Sequence, residues 1–535
     1  MLARCAELQV DGWNSWNALR LLCDQNPRLQ VCLELTEDLP ETDRELHRWL
    51  AEPVRSVIIP TDAFLTNKQG FPVLSKRHKA FLLQLFRNKV QVILQGLPEG
   101  AKETETEKYL HYVARLFQSR PAPTAQEQFE TPYHDWLQAP LQPLQDNLES
   151  QTYETFEKDP VKCRTHGTRT RQAMVVGAGR GPLVVAVGGA QVKIWAVEKN
   201  PNAVVTLRHR CAVEEWTNVE VIGEDMRFWD APRKADLIVS ELLGSFGDNE
   251  LSPECLDGAG PRQGEGPPPR TEASVGLGVF FLILIEPSFR LKPGVVGSIR
   301  SNPSDSGAFA VMPIGNLVVA NPKKPTMLCG DHRAVRFLLL DGAGQQKTST
   351  GQSALDVAQA ANEQGSHDVV IDLLKMPSAQ RFLEPDGACI PSKYTSSLTP
   401  VTTHKLWNDV KNYNDLAHFE TAYVVKFHQA FYPTSQVEKC FEFSHPNWEL
   451  SSNDRYAQIE FTSEVDALVH GFAGYFHCEL YAGLSVSINP ESYSEGMFSW
   501  SGRLDGPRFP IYFPLRTPVN LKRGEKLTSS GRPAW

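Results

Sequence analysis

Two glutamates, Glu241 and Glu250, are the residues whose type and spacing most directly indicate chemistry. They flank a short glycine-bearing turn, residues 242–249, and such a turn can direct both side chains into one pocket. The run 235–239 is typical of a buried strand, which places Glu241 just past the carboxyl end of that strand, where open α/β sheets bind their ligands. A pair of carboxylates there favours a cationic, planar substrate group.

A glycine-rich turn, Gly177-Ala-Gly-Arg-Gly181, follows a strand predicted at 173–176. Missing side chains let a ligand approach the backbone closely, although a tight turn between a strand and a helix uses the same glycines. A second predicted strand ends about 20 residues later in Glu198, the position at which a carboxylate binds ribose hydroxyls. These features together indicate a ligand that contains a nucleoside.

The third predicted strand, 219–222, leads to Asp225 and Met226. These two side chains are placed to contact an adenine amino group and the face of its ring. For Asp225, helix capping is an equally good explanation.

Repeated strands and helices must position these residues. From residue 13 to 118, apolar strands alternate with amphipathic helical stretches, which is a βα rhythm. A complete eight-unit barrel takes about 250 residues, so a region of half that length predicts a partial barrel. Beyond residue 380, short alternating strands predict a β-barrel.

The composition is typical of a globular protein. The 535 residues include 22% charged side chains and carry a net charge of −9, which argues against a general nucleic-acid binder and is compatible with basic protein substrates. The ten cysteines form no CxxC pair and no metal-like Cys/His spacing, so we expect reduced thiols and no metal. The first residues lack the apolar core of a secretory signal, and the apolar run 275–285 is shorter than the roughly 20 residues that span a bilayer, so we expect a soluble protein.

Several segments taken together resemble the protein arginine N-methyltransferase 5 family, whose type II enzymes form symmetric dimethylarginine. The resemblance covers roughly 13–258 and 380–528. It rests on the motifs Phe64–Lys76, Pro140–Phe156, Gly177–Leu183, Ala196–Ala203, Asp225–Arg227, Ser240–Asp257 and Val469–Phe476.

The resemblance implies an α/β fold class with three domains. We expect a partial N-terminal β/α (TIM-like) barrel, a Rossmann methyltransferase domain and a C-terminal β-barrel, with a long, poorly structured insertion. The expected boundaries are 1–121 for the partial barrel, 122–143 for a proline-rich linker, 144–259 for the Rossmann domain, 260–379 for the insertion and 380–535 for the β-barrel.

The resemblance also implies a cofactor, S-adenosylmethionine, and methyl transfer to protein arginines. Two acids would hold the permanently charged guanidinium by bidentate hydrogen bonds. By position, the catalytic residues are Glu241 and Glu250, and the cofactor-binding residues are Tyr153, Lys162, Cys163, Gly177, Gly179, Gly181, Glu198, Asp225 and Met226. The substrate-binding residues would be Trp500, stacked over the guanidinium, and Phe156, which directs the symmetric product. Ordinary core packing is the alternative for Phe156.

Partners and location are implied by the resemblance alone. We expect Arg/Gly-rich protein substrates such as histones and splicing proteins, a WD-repeat partner on the N-terminal barrel, and homo-oligomers in the cytoplasm and nucleus. We expect no direct contact with nucleic acid or membrane.

The sequence departs from the family pattern around the site. Residues 162–170 replace a helical segment ahead of the glycine turn, and Cys163 stands where the family has a tyrosine. The insertion 260–379 follows the acid pair, and residues 501–508 intrude directly after Trp500. The C-terminal domain is expected to be truncated relative to the family.

Three functions therefore stay open. The first is an active arginine methyltransferase. The second is a catalytically impaired relative, a paralogue or aberrant isoform, that acts as a protein-binding scaffold. The third is a Rossmann methyltransferase that modifies nucleic-acid amines, which would share the glycine turn but would not need two acids for a cationic substrate.

Overall fold

The computed structural model contains a parallel sheet at the N-terminal end, a second parallel sheet in the middle of the chain and a large antiparallel sheet at the C-terminal end. None of the helices in the described part of the chain has the length and hydropathy required to cross a membrane. The structure describes residues 2–4, 12–96, 103–143, 146–150, 152–153, 172–187, 192–227, 229–256, 280–284, 382–428, 431–447, 456–481, 483–492 and 509–532.

The N-terminal region is a half-barrel of parallel strands covered by helices. Its elements are β1 (Leu2–Arg4), α1 (Gly12–Leu22), β2 (Val31–Glu34), α2 (Asp43–His47), β3 (Val54–Pro60), β4 (Phe64–Thr66), β5 (Pro72–Leu74), α3 (Lys76–Leu85), β6 (Gln91–Gln95) and α4 (Glu103–Gln118). Strands β1, β2, β3 and β6 pair in that order, all parallel. Trp13, Trp16 and Trp49 are fully buried in the core between this sheet and its helices.

The middle region is a five-stranded parallel sheet with helices in its connections. Its elements are β7 (Gln172–Val176), α6 (Pro182–Val187), β8 (Lys193–Val197), α7 (Pro201–Val213), β9 (Val219–Ile222), β10 (Ala235–Ser240), α8 (Ser252–Leu256) and β12 (Leu383–Ile390), while α5 (Ala125–Glu130) precedes them. The strand order is β12, β10, β7, β8, β9. Strand β12 comes from the far side of the insertion and pairs in parallel with β10.

Both faces of this sheet are buried, as the near-continuous apolar strands predict. Met174 and Trp195 belong to the core on one face, whereas Val175 and Ile194 belong to the core on the other. Successive side chains of a strand point to opposite faces, so β7 and β8 supply both cores. The carboxyl ends of β7, β8 and β10 consequently form one rigid edge.

The C-terminal region is dominated by long antiparallel strands. Its elements are β13 (Lys393–Thr402), α9 (His404–Lys411), β14 (Tyr423–Val424), β15 (Tyr432–Pro433), β16 (Glu438–Ser444), β17 (Ala457–Thr462), β18 (Ala467–Tyr481), β19 (Leu484–Ser487), β20 (Ile511–Leu521) and β21 (Lys526–Arg532). Strand β18 pairs with both β13 and β20. Together the three regions confirm the predicted fold class: a partial TIM-like barrel, a Rossmann domain and a C-terminal β-rich domain.

One short strand of the segment predicted as an insertion, 260–379, is described. Residues Phe280–Leu284 form β11, which pairs antiparallel with β21, in the register Phe280 to Arg532. Strand β21 therefore has partners on both sides, β11 and β17. Residues 280–284 of the apolar run 275–285 contribute backbone pairing here, and the remainder of the predicted insertion 260–379 lies outside the described residues.

A buried polar network joins the N-terminal and C-terminal regions. Arg20 forms an ion pair with Glu52, and both side chains are completely buried. The carboxylate of Glu52 also accepts hydrogen bonds from the indole nitrogens of two buried tryptophans, at 2.8 and 2.9 Å. Across the interface, His470 Nε2 lies 2.8 Å from Gln25 Oε1, and its Nδ1 accepts a hydrogen bond from the backbone of Thr403. The hydrogen bond between Gln25 and His470 joins the two regions directly.

The segment predicted as a linker, 122–143, lies along the C-terminal region. Gln138 exchanges two backbone hydrogen bonds with Val424, and Asp135 N–H donates to the carbonyl of Lys426. The rings of His134 and His428 stack with centroids 3.7 Å apart. This segment, which connects the half-barrel to the parallel sheet along the chain, is therefore held against the C-terminal region.

Candidate functional site

The glycine turn after β7 is held open by its backbone conformation. Gly177 and Gly179 have φ of +72° and +54°, in the left-handed region that glycine adopts without steric cost. A Cβ at Gly177 would lie 3.2 Å from a methyl carbon of Leu242, and one at Gly179 would lie 3.0 Å from the ring of Tyr153. Leu242 and Tyr153 therefore pack directly against these two glycines, and a side chain at either position would crowd them.

Glu198, directly after β8, faces the same space. Its carboxylate accepts hydrogen bonds from the backbone N–H groups of Gly179 at 2.8 Å and Asn200 at 2.7 Å, and the residue is 5% exposed. Burial raises the pKa of this carboxyl, and the two backbone donors act in the opposite direction. A carboxylate fixed in this way retains lone pairs with which to accept hydrogen bonds from ribose hydroxyls.

Asn200 was not predicted from the sequence, yet it connects three parts of the site. Its Oδ1 caps α7 by accepting from Asn202 N–H, while its Nδ2 donates to the carbonyl of Leu148 at 2.9 Å and to the hydroxyl of Tyr153 at 3.2 Å. The sequence signal was an asparagine before a proline, the pattern of an N-cap followed by the first helical residue. Burial, followed by the nearby Glu198 carboxylate, raises the pKa of Tyr153 to about 12.

Asp225 and Met226 follow β9 at the same edge. The carboxylate of Asp225 receives bidentate hydrogen bonds from the guanidinium of Arg227, at 3.0 and 2.7 Å, and a third from the backbone N–H of that residue. An arginine clamp therefore orients Asp225. Met226 is buried and lies close to Gly177, since a Cβ at that glycine would meet its terminal methyl at 3.6 Å.

Gly181, also predicted to contact the cofactor, faces the protein interior. A Cβ at this position would lie 2.7 Å from Leu207 Cδ1 and 3.2 Å from the ring of Trp216. The third glycine of such a turn commonly allows close packing of helix and strand. Its surroundings match that packing role, and its predicted role as a cofactor contact stays a prediction.

The two acids lie at opposite ends of a compact turn. Within it, Gly244 and Gly247 exchange two backbone hydrogen bonds of 3.1 Å, and the side chain of Asn249 accepts from Phe246 N–H at 2.7 Å. This closed turn brings its two ends back to the same place, as a hairpin does. Both Glu241 and Glu250 line the cleft in front of β10.

One cleft thus collects most of the predicted residues that the structure describes. It encloses about 990 Å³ with its solvent-open part included. The predicted residues that line it are Tyr153, Gly177, Gly179, Glu198, Asp225, Met226, Glu241 and Glu250. Four further predicted residues, Phe156, Lys162, Cys163 and Trp500, lie outside the described residues.

Three family models match the chain. The PRMT5 TIM barrel domain matches residues 4–119, the PRMT5 arginine-N-methyltransferase model matches 124–173 and 164–264, and the PRMT5 oligomerisation domain matches 393–530. The three matches follow the half-barrel, the parallel sheet and the antiparallel sheet in order.

Curated relatives match almost the whole chain. Protein arginine N-methyltransferase 5 of Oryza sativa subsp. indica is 38% identical over 95% of this chain and 66% of its own length. The protein of the same name from Xenopus laevis is 35% identical over 98% of this chain and 68% of its own length, and skb1 of Schizosaccharomyces pombe is 30% identical over 97% and 67%. The chain thus spans about two thirds of the length of the curated relatives it matches.

A solved structure, the Trypanosoma brucei PRMT1 enzyme-prozyme heterotetrameric complex with AdoHcy, is similar at a TM-score of 0.39 and 11% identity, covering 71% of this chain and 83% of that one. The family models and the curated relatives carry the assignment. By these matches, the chain belongs to the protein arginine N-methyltransferase 5 family.

Proposed function

We propose that this chain transfers methyl groups from S-adenosylmethionine to the guanidinium nitrogens of protein arginines. One observation supports the proposal above all: a single cleft is lined by the turn at Gly177 and Gly179, by the buried carboxylate Glu198, and by the acid pair Glu241 and Glu250. The cleft therefore offers a site for a nucleoside next to a site for a cation.

The residues that line the cleft fit a nucleoside sulfonium cofactor. The glycine turn lines the cleft together with Tyr153 and Leu242, and Glu198 presents fixed acceptor oxygens to a ribose. Met226 adds an apolar surface at which a base can pack. Bound S-adenosylmethionine supplies an electrophilic methyl group.

The acid pair would prepare the arginine. A guanidinium stays protonated at physiological pH and is a weak nucleophile, so its charge must be held on one side while a nitrogen faces the methyl donor. Charge-assisted hydrogen bonds to Glu241 and Glu250 provide this orientation, and one of these carboxylates accepts the proton that the methylated nitrogen releases. Positioning and electrostatics supply most of the rate enhancement in such a site.

The finer assignment follows the family relationship. We propose type II specificity, with monomethylarginine and symmetric dimethylarginine as products and Phe156 as the residue that directs symmetry. We propose Arg/Gly-rich substrates such as histones and splicing proteins, homo-oligomers, a WD-repeat partner, and residence in cytoplasm and nucleus. The matched oligomerisation domain supports the proposed self-association.

A methylation assay with radiolabelled cofactor and an Arg/Gly-rich peptide tests the proposal. Glu241→Gln and Glu250→Gln should each lower methyl transfer by about 100-fold or more, because each removes a charged partner of the guanidinium. Glu224→Gln is the matched control, since Glu224 lines the same cleft outside the acid-bearing turn. Equal activity in the wild type and both variants of the pair would contradict the proposal, and mass spectrometry of the product separates symmetric from asymmetric dimethylation.

The alternative function is a protein-binding scaffold. Cys163 in place of a family tyrosine and the short basic segment 162–170 favour it, since both lie in the stretch expected to close over the cofactor. A wild-type chain that binds no S-adenosylmethionine in calorimetry and methylates neither peptide nor RNA would support the scaffold. Methylation of RNA alone would instead support a nucleic-acid methyltransferase.

A further inference from the structure

We propose that Ser396 and Phe246 are positioning residues, through which the C-terminal sheet sets the placement of the acid pair. The inference deepens the proposed function, because the acids it concerns are Glu241 and Glu250. Neither Ser396 nor Phe246 lines the cleft in the described part of the chain. Both would act on the reaction through the turn that carries the acids.

Phe246, near the middle of the turn, is inserted into the core of the C-terminal region. The residue is fully buried, and its ring meets Phe513 edge-on with centroids 5.3 Å apart and Phe441 at 6.5 Å. Gly474 on β18 makes the space for it, since a Cβ there would lie 2.6 Å from Phe246 Cδ2. The turn is thus anchored in a different core from the strand β10 that precedes it.

Ser396 on β13 holds the backbone of Phe246 in place. The Ser396 hydroxyl, fully buried, donates a hydrogen bond of 2.6 Å to the carbonyl oxygen of Phe246. Its neighbours on that face of the strand, the ring of Tyr394 and the side chain of Leu398, are completely buried in the hydrophobic core. A carbonyl buried among such residues needs a partner, so Ser396 specifies where the backbone of the turn lies.

The turn transmits this anchoring to both acids because it is internally closed. The backbones of Gly244 and Gly247 are hydrogen-bonded to each other on either side of Phe246. The side-chain oxygen of Asn249 accepts a hydrogen bond from the Phe246 N–H. Phe246 is thereby fixed at its N–H, its carbonyl and its ring. A shift of this residue must move the two ends of the turn, where Glu241 and Glu250 lie, and a misplacement of about 1 Å can cost about 100-fold in rate.

Two variants with matched controls test the inference. Ser396→Ala removes the hydroxyl, and Ser397→Ala removes a similarly buried hydroxyl from the neighbouring position of β13. Gly474→Ala adds a methyl group against both the Phe246 ring and Ile511 Cγ2, each 2.6 Å from the added Cβ. The double variant Gly474→Ala/Phe246→Leu replaces the ring and relieves the part of the clash that involves Phe246. Amide hydrogen exchange of the peptide covering 241–251, S-adenosylmethionine binding by calorimetry, and methyl transfer to an Arg/Gly-rich peptide are measured for each.

Ser396→Ala should accelerate exchange of this peptide by about 10-fold, the effect of losing about one hydrogen bond, whereas Ser397→Ala should match the wild type. Gly474→Ala should also accelerate exchange, because the added methyl group displaces the Phe246 ring. Both should lower the kcat for methyl transfer and leave the dissociation constant for S-adenosylmethionine within about twofold, and the double variant should recover part of the loss. Exchange in Ser396→Ala equal to that in Ser397→Ala would overturn the inference. If the wild type transfers no methyl group while Ser396→Ala still accelerates exchange, the anchoring stands and the proposed function fails.

Discussion

The side-chain amide of Asn200 lies 2.9 Å from the carbonyl oxygen of Leu148, and this hydrogen bond joins the loop after strand β8 to the segment 146–150, whose Leu148 also lines the cleft. The same residue donates its backbone N–H to Glu198. Asn200 therefore links Glu198, which binds ribose in our proposal, to the segment 146–150.

Substitution of Asn200 should separate capping from cofactor binding. Asn200→Ser keeps an oxygen that can cap α7 but loses the amide that reaches Leu148, so we expect S-adenosylmethionine affinity to fall about 10-fold with little change in stability. Asn200→Ala loses both, and should cost about 1 kcal/mol of unfolding free energy in addition. Calorimetry with the cofactor and urea denaturation measure the two effects. Equal affinity for Asn200→Ser and the wild type would contradict the proposed link.

Gly181 should be the least replaceable glycine of the turn for packing reasons. Its φ is +97°, and a Cβ would lie 2.7 Å from Leu207 Cδ1. Gly70 has a similar φ of +78° but no atom within 4 Å of the added Cβ, so Gly70→Ala measures backbone strain alone. We expect Gly181→Ala to lower the unfolding free energy by about 1–3 kcal/mol more than Gly70→Ala. Equal losses in chemical denaturation would show that packing against Leu207 is unimportant.

Acid should weaken the interface between the half-barrel and the C-terminal region through His404. Burial lowers the pKa of His404 to about 4, while Glu52 raises it and Arg20 lowers it to smaller extents. In the unfolded chain this histidine titrates near 6.5, so between pH 6.5 and 4 the unfolded state binds more protons than the folded state. Stability should therefore fall as the pH is lowered through this window, by a few kcal/mol in all.

The measurement is urea unfolding at several pH values for the wild type and His404→Gln. The variant lacks the titrating group, so its unfolding free energy should fall less steeply between pH 6.5 and 4. His470, whose pKa burial also lowers, remains in the variant and leaves a residual slope. Identical slopes in the two proteins would show that His404 contributes nothing to the acid response.

Glu52 should be essential to the stability of the N-terminal region. Its carboxylate is the counterion of Arg20 in a site that solvent does not reach, so Glu52→Gln leaves a buried positive charge uncompensated. Breaking such a pair costs about 3–5 kcal/mol. Glu214→Gln is the comparison, because Glu214 pairs with Arg210 at the surface, where ion pairs contribute little. Thermal unfolding of both variants checks the difference, and a Glu52→Gln protein as stable as Glu214→Gln would refute it.

The sequence predicted those parts of the site that depend on local pattern. A strand followed by closely spaced glycines, and a second strand ending in Glu198, are short-range signals, and the structure places Gly177, Gly179 and Glu198 around one cleft. The acid pair was predicted for the same reason, since the two glutamates flank one short turn. Gly181 was grouped with the other two glycines because spacing alone does not tell which of them contacts a helix.

Contacts between distant segments were not predictable in this way. The hydrogen bond from Ser396 to Phe246 spans 150 residues, and that from Asn200 to Leu148 spans 52. A serine within an apolar strand and an asparagine before a proline have many local explanations. Their partners become identifiable only when the sheets are assembled.

The order of strands in the parallel sheet has a consequence for synthesis on the ribosome. Strand β10 pairs on one side with β12, whose residues follow the insertion. Chains emerge at about 5–20 residues per second, so the edge of β10 waits for many seconds while residues 257–382 are made. During that interval the nascent cofactor domain lacks its last strand, and Phe246 lacks the core that receives it. A chaperone that holds this intermediate would then affect the yield of active protein more than the rate at which the finished protein unfolds.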